Sequence, residues 1–162
     1  MTRIVLDTNV LVSGMINAKG APGRIMDLVR EGLVDLVVDD RILAEYSEVL
    51  NRKKFGVYFH ACDVLDILVF LEHNAHYVVS TAQIADMPDT DDAPFLEVAL
   101  TAAVPLVTGN TSHFPARYRK RANIQTPATF IANYSARSGN ASAKKSNQPR
   151  SARRHGEGRV SP

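Results

Sequence analysis

The sequence predicts an α/β domain, with a central parallel sheet of four or five strands between two layers of helices. Three observations carry this. Short apolar runs, mostly β-branched, recur through residues 1–134. They are continuous rather than alternating, as in strands buried on both faces. Longer stretches of helical periodicity separate them, as crossovers between parallel strands require.

The elements follow in order. Ile4-Val5-Leu6 is the first strand and ends on Asp7. A helical pattern covers 21–31. Leu33 to Val38 is the second strand, ending on Asp39-Asp40. The next helix, 41–52, has the apolar stripe Ile42, Leu43, Tyr46, Val49 and Leu50. A helix over 61–75 precedes a third strand, Tyr77-Val78-Val79, and a helix over 93–103 precedes a fourth, Pro105-Leu106-Val107. Ile124-Gln125 is a short fifth, followed by a last helix over 127–134. No internal repeat is visible.

The 162 residues suit one domain, and 45% hydrophobic residues suffice for a core. The single cysteine, Cys62, excludes an internal disulfide framework and a Cys-rich zinc site; it is expected as a small core residue. A reducing, cytoplasmic setting is expected. Even Val64–Leu71 is interrupted by Asp66, far short of the roughly 20 apolar residues of a membrane span, so no membrane partner is expected. Charge is uneven. Residues 135–162 hold seven Lys/Arg and one acid, leaving 12 basic and 16 acidic residues in 1–134. That basic segment has no aromatic residue and is expected to be disordered, as a solvated extension or an arm for nucleic acid.

Ligands of open parallel sheets bind beyond the carboxyl ends of the strands. Asp7 stands there, after three apolar residues; Thr8 or Asn9 could cap the following helix equally well, which frees Asp7 for chemistry. On the 41–52 helix, Glu45 lies roughly 100° from the centre of the apolar stripe and Glu48 roughly 160°. Glu48 therefore faces water, while Glu45 can lean into a cleft. Asp86, Asp89, Asp91 and Asp92 crowd one short segment before a helix. Helix-dipole complementarity accounts for one or two acids, and a bound cation would relieve the repulsion among the rest. Asp91 and Asp92 are both placed toward the buried stripe, and spacing does not separate them. Such hard oxygen donors suit Mg²⁺ or Mn²⁺ and suggest phosphoryl chemistry. Neither a Gly-rich phosphate loop nor a Gly-x-Ser-x-Gly elbow is present.

Leu6-Asp7-Thr8-Asn9-Val10-Leu11-Val12-Ser13 resembles the opening motif of the PIN-domain nucleases. Leu43-Ala-Glu45-Tyr-Ser-Glu-Val-Leu50 is similar to that family's second acidic element. Asp91-Asp92-Ala-Pro-Phe-Leu-Glu-Val-Ala99 is similar to its third, and Val107-Thr-Gly-Asn110-Thr-Ser-His113-Phe-Pro to its fourth. The resemblance is closest to toxin-like bacterial members akin to VapC ribonucleases. It implies a PIN-like nuclease domain over 1–134, with 135–162 as the tail. It also implies a metal-dependent endoribonuclease, the toxin of a toxin–antitoxin pair, with an antitoxin partner and a homodimer.

By motif, Asp7, Glu45 and Asp92 match the family's catalytic, metal-binding acids, with Asp91 as a further ligand. Thr8, Asn9, Ser13, Asn110 and His113 match positions next to the metal or substrate. Many members carry an acid at the position of Asn110 or His113, and here neither is acidic, so one or two ions are implied. Hydrolysis would leave a 5′-phosphate and a 3′-hydroxyl. Because an acidic site repels RNA, Arg52-Lys53-Lys54 and Arg119-Lys120-Arg121 are candidates to bring it there, with Phe55, Tyr58 and Tyr118 for stacking. A second reading keeps the fold but makes it an impaired nuclease that binds RNA or protein. A phosphatase of the haloacid dehalogenase type also starts from a strand-end Asp, but wants an acid where Asn9 stands.

Overall fold

The computed structural model describes residues 1–145. Five strands form one parallel sheet: β1 (Thr2–Leu6), β2 (Val34–Val38), β3 (His76–Tyr77), β4 (Leu106–Val107) and β5 (Ile124–Gln125). Their order is β3-β2-β1-β4-β5. Ile4 pairs with Leu36 on one side of β1, and Leu6 with Val107 on the other. The chain thus builds outward from β1 to β2 and β3, then crosses back to place β4 and β5 beyond β1. The winding direction reverses between β1 and β4, and beyond the carboxyl ends of strands at such a point open parallel sheets take their ligands.

Among the described residues, seven helices flank the sheet in a three-layer α/β/α arrangement: α1 (Thr8–Ile16), α2 (Ala21–Arg30), α3 (Asp40–Leu50), α4 (Ala61–Asn74), α5 (Ala93–Ala102), α6 (Ala116–Arg121) and α7 (Pro127–Lys145). Helix α5 packs against β1, β2, β4 and α3, and α2 packs against α1, α7 and β2. Ile4, Val5, Leu6, Leu36, Val37, Val38, Leu106 and Val107 form the buried centre. The continuous apolar pattern of these strands follows from that two-sided burial. Helices α1 and α2 approach closely at Gly14, where a Cβ would stand 2.6 Å from the backbone oxygen of Pro22; any larger residue would push them apart. No helix among the described residues is long and apolar enough to cross a membrane.

Four expectations need correction or extension. The third strand ends at Tyr77, and Val79 is 87% exposed. As the sheet edge, β3 has a neighbour on one side only, and the apolar run outlasts the pairing. Cys62 is exposed on α4, whose buried face is formed by Val64, Ile67 and Leu71. Residues 116–121, outside the expected helices, form the short helix α6.

The last helix runs on to Lys145, past the boundary expected at 134. Its first turns are anchored by Phe130, buried, with Ile131 and Tyr134 against the core. Once nucleated, a helix extends through residues such as Ala136, Arg137 and Ala141 without burying them. The remainder of the expected disordered tail, 146–162, lies outside the described residues.

Candidate functional site

Asp7 leaves the end of β1 in extended backbone and occupies the N-cap position of α1, yet its side chain does not cap that helix. Its Oδ2 accepts a 2.7 Å hydrogen bond from Thr108 Oγ1, at the end of β4. Thr108 is fully buried and its hydroxyl also accepts from the Asn110 amide at 3.1 Å. Asn9 Oδ1 accepts from the Gly109 amide at 3.5 Å. The strand-end segments of β1 and β4 are therefore laced together at the switch point.

Glu45 sits half-buried on α3, as the stripe geometry predicts, while Glu48 is exposed and paired with Arg52. Thr8 Oγ1 donates to Glu45 Oε2. The next residue, Tyr46, is fully buried and its hydroxyl donates to the carbonyl of Leu6. Tyr46 thus fixes α3 against the end of β1, one residue before Asp7.

Asp92 and Asp91, inseparable by spacing, differ in the structure. Asp91 is exposed, and its amide donates to Asp89 Oδ1. Asp92 is partly buried at the start of α5, and its Oδ2 is buried without a hydrogen-bond partner among the described residues. His113 Nδ1 approaches that oxygen at 3.9 Å. Asn110 is exposed, and Ser13 lies exposed further along α1, outside this hydrogen-bond set.

The three acids share one electrostatic field. Burial raises the pKa of Asp7, opposed by the bonds from Thr108 and the Thr8 amide; repulsion from Glu45 adds to the rise. Burial also raises Glu45, with Thr8 opposing and Asp91 and Asp92 repelling. Asp92 is raised to about 6, first by burial, then by Asp7 and Asp89. His113 offsets part of this at Asp7 and Asp92, and Arg52 at Glu45, but all three stay raised, and a cation would relieve them. The orphaned Asp92 oxygen and the all-oxygen donor set fit a hard divalent ion in their chemistry. In spacing the site is open: among the described residues, no three His, Cys, Asp or Glu side chains converge as a preformed metal cage.

The basic candidates divide. Arg52 is bound by Glu48 through two hydrogen bonds, and Arg119 Nε donates to the Phe114 carbonyl at 2.9 Å. Lys53, Lys54, Lys120 and Arg121 are exposed. Of the stacking candidates, Tyr58 is exposed, Phe55 lies under Lys54, and Tyr118 bonds Asp86 through its hydroxyl.

The family model described as a PIN domain matches residues 3–112, which include every acid named above. The chain belongs to the PIN-domain family. A relative of this PIN domain is the uncharacterized protein MJ1680 of Methanocaldococcus jannaschii. It is 29% identical over 138 residues, covering 80% of this chain and 89% of that protein. Among solved structures, VapBC2 from Rickettsia felis, bound to a DNA fragment from its promoter, is 17% identical with a TM-score of 0.48. The match covers 77% of this chain and 97% of that one.

Residues whose roles sequence reasoning missed in this PIN domain include Thr108, legible only as one of the polar residues after the fourth strand that suit a site shared with Asp7. Glu97 is another. It is 6% exposed within the apolar helix α5, where a lone charge signals a buried partner.

Proposed function

We propose that this chain is a metal-dependent endoribonuclease that hydrolyses RNA phosphodiester bonds. PIN domains are generally nucleases, so family membership supports a hydrolase. The observation that carries the finer reading is the placement of Asp7, Glu45 and Asp92 around the sheet's switch point, each raised first by burial and further by its acidic neighbours, with one buried Asp92 oxygen that has no partner among the described residues.

In this reading Asp7, Glu45 and Asp92 hold Mg²⁺ or Mn²⁺, with Asp91 at the rim. When bound, such an ion supplies Lewis acidity toward the phosphodiester and its water nucleophile. Thr108 and Thr8 hold the Asp7 and Glu45 carboxylates at the switch point. Asn9, Asn110 and His113 offer polar contacts for the phosphate. The exposed Lys53, Lys54, Lys120 and Arg121 offset the repulsion between an acidic site and a polyanion. The four-motif resemblance to toxin-like PIN ribonucleases supports reading it as the toxin of a toxin–antitoxin pair, acting as a homodimer in the cytoplasm and held by an antitoxin.

The test is cleavage of single-stranded RNA with Mg²⁺ or Mn²⁺, with a chelator, and with Asp7→Asn. Metal-dependent cutting lost in both controls supports the enzyme. The second reading, an impaired fold serving as an RNA-binding or protein-interaction module, is favoured by the non-acidic Asn110 and His113 and by the open spacing of the acids. RNA binding with no metal-dependent cutting would select it.

A further inference from the structure

The carboxylate of Glu97 lies inside an otherwise apolar helix, and a buried charge needs a partner. Its Oε1 accepts from Arg41 Nη1 at 2.9 Å, and Arg41 is in the first turn of α3. Its Oε2 accepts from the Ile84 amide at 3.1 Å, in the segment that leads to Asp89 and Asp92. The same guanidinium binds Asp39 Oδ2 at 2.8 Å. Asp39 directly follows β2 and caps α3 by accepting from the Ile42 amide at 3.0 Å. One side chain therefore ties together the end of β2, the start of α3 and the middle of α5.

Helices α3 and α5 are the ones that carry Glu45 and Asp92. They meet at a second point, where the Tyr46 and Phe95 rings pack with centroids 6.4 Å apart. Arg41 and Tyr46 stand about 7.5 Å apart along the helix axis. Helix α3 is also packed on α1, α4 and β2, with Ile42 and Leu50 buried in the core; against α5, the Arg41 link adds a second contact point separated from Tyr46. The ion pair adds a directional contact between charged groups to the apolar packing of these two helices.

We propose that Arg41, through its ion pair with Glu97, is a positioning residue of the nuclease site. It sets the relative placement of Glu45 and Asp92, two of the acids that would hold a divalent cation. This rests on the nuclease reading above.

The experiment compares the full chain with the double variant Arg41→Met/Glu97→Gln. The double change removes the charged link to α5 and leaves no ionised Glu97; Asp39 loses its guanidinium partner but keeps the Ile42 amide donor, and the amide side chain introduced by Glu97→Gln keeps an acceptor for the Ile84 amide. Melting temperature, Mn²⁺ affinity by calorimetry without RNA, and the kcat and KM of RNA cleavage are read together. The expected result is a folded protein whose Mn²⁺ affinity falls about tenfold. Its kcat should fall on the order of 10- to 100-fold with KM little changed. Arg41→Lys, which keeps the charge, should restore part of both.

A purely structural ion pair would lower the melting temperature and leave cation affinity and kcat of the folded chain at wild-type values. That result overturns the proposal while the nuclease reading stands, because the wild type still cuts. A wild type that neither binds Mn²⁺ nor cuts would sink the nuclease reading and this proposal with it. Should the double variant fail to fold, Glu97→Gln and Arg41→Lys are read alone, and wild-type Mn²⁺ affinity in both overturns the positioning role.

Discussion

Thr108 Oγ1 donates to Asp7 Oδ2 at 2.7 Å across 101 positions of sequence, joining the ends of two neighbouring parallel strands. The bond opposes the burial that raises Asp7, so it favours the ionised form a cation would require. Thr108→Val keeps the shape and deletes the hydroxyl. Asp7 then loses a donor, and the Asn110 amide loses its acceptor. The expected outcome is a loss of about 1–3 kcal/mol in unfolding free energy by denaturant titration, with Mn²⁺ affinity lowered about tenfold. Unchanged affinity in a folded Val variant would mean that Thr108 serves the fold alone.

Asp92 makes stability depend on pH in a direction opposite to that of a salt-bridged carboxylate. Its pKa rises from 3.8 to about 6 on folding, first through burial. Between these values the folded chain binds more protons than the unfolded one, so stability falls as pH rises through that window. Above about pH 6 the whole penalty is present; below about pH 4 it is gone. The side chain is partly open to solvent, which screens the effect to about 1 kcal/mol. Asp92→Asn should therefore stabilise the chain in chelator at about pH 7.5 by roughly that amount, with the gain vanishing near pH 4. A variant that is destabilised at that neutral pH would contradict the repulsion described for this site.

Much of this architecture is legible because one-dimensional patterns report burial directly. The run Ile4-Val5-Leu6 followed by Asp7 marks both a central strand and its carboxyl end. The stripe on α3 correctly separates the half-buried Glu45 from the solvent-facing Glu48. What escapes depends on partners distant in sequence. Thr108 reads as one of several polar residues at a strand end until Asp7 is placed beside it. Choosing between Asp91 and Asp92 needs the backbone turn at Thr90–Asp92, which helical spacing does not describe. The extension of α7 escapes because a segment with little to bury reads as disordered, whereas helix propagation from a packed end needs no burial.

Tyr46 should behave as a structural pin next to the site. It is fully buried, and its hydroxyl reaches the carbonyl of Leu6. Tyr46→Phe keeps the ring against Phe95 and leaves that carbonyl without its side-chain donor. A loss of about 1–2 kcal/mol in thermal or chemical unfolding is expected. Because Glu45 follows this residue's backbone, Mn²⁺ affinity should fall with it. A variant as stable as wild type would show that water replaces the donor.

Salt dependence distinguishes the cations that face RNA from those engaged within the fold. Arg52 is committed to Glu48, Arg119 to the Phe114 carbonyl and Arg117 to Asp86. Lys53, Lys54, Lys120 and Arg121 are exposed and stand on two separate elements, the turn after α3 and helix α6. Each phosphate contact made to single-stranded RNA contributes about −0.7 to the slope of log affinity against log salt. Lys53→Ala, Lys54→Ala, Lys120→Ala and Arg121→Ala should each shallow that slope by about this amount and raise the KM for RNA, leaving kcat and melting temperature near wild type. Arg119→Ala should instead lower the melting temperature, since its Nε holds the turn before α6. The measurement is RNA affinity of the Asp7→Asn chain at several salt concentrations, which separates binding from cutting. Slopes unchanged in all four variants would place the RNA path on another face of the molecule.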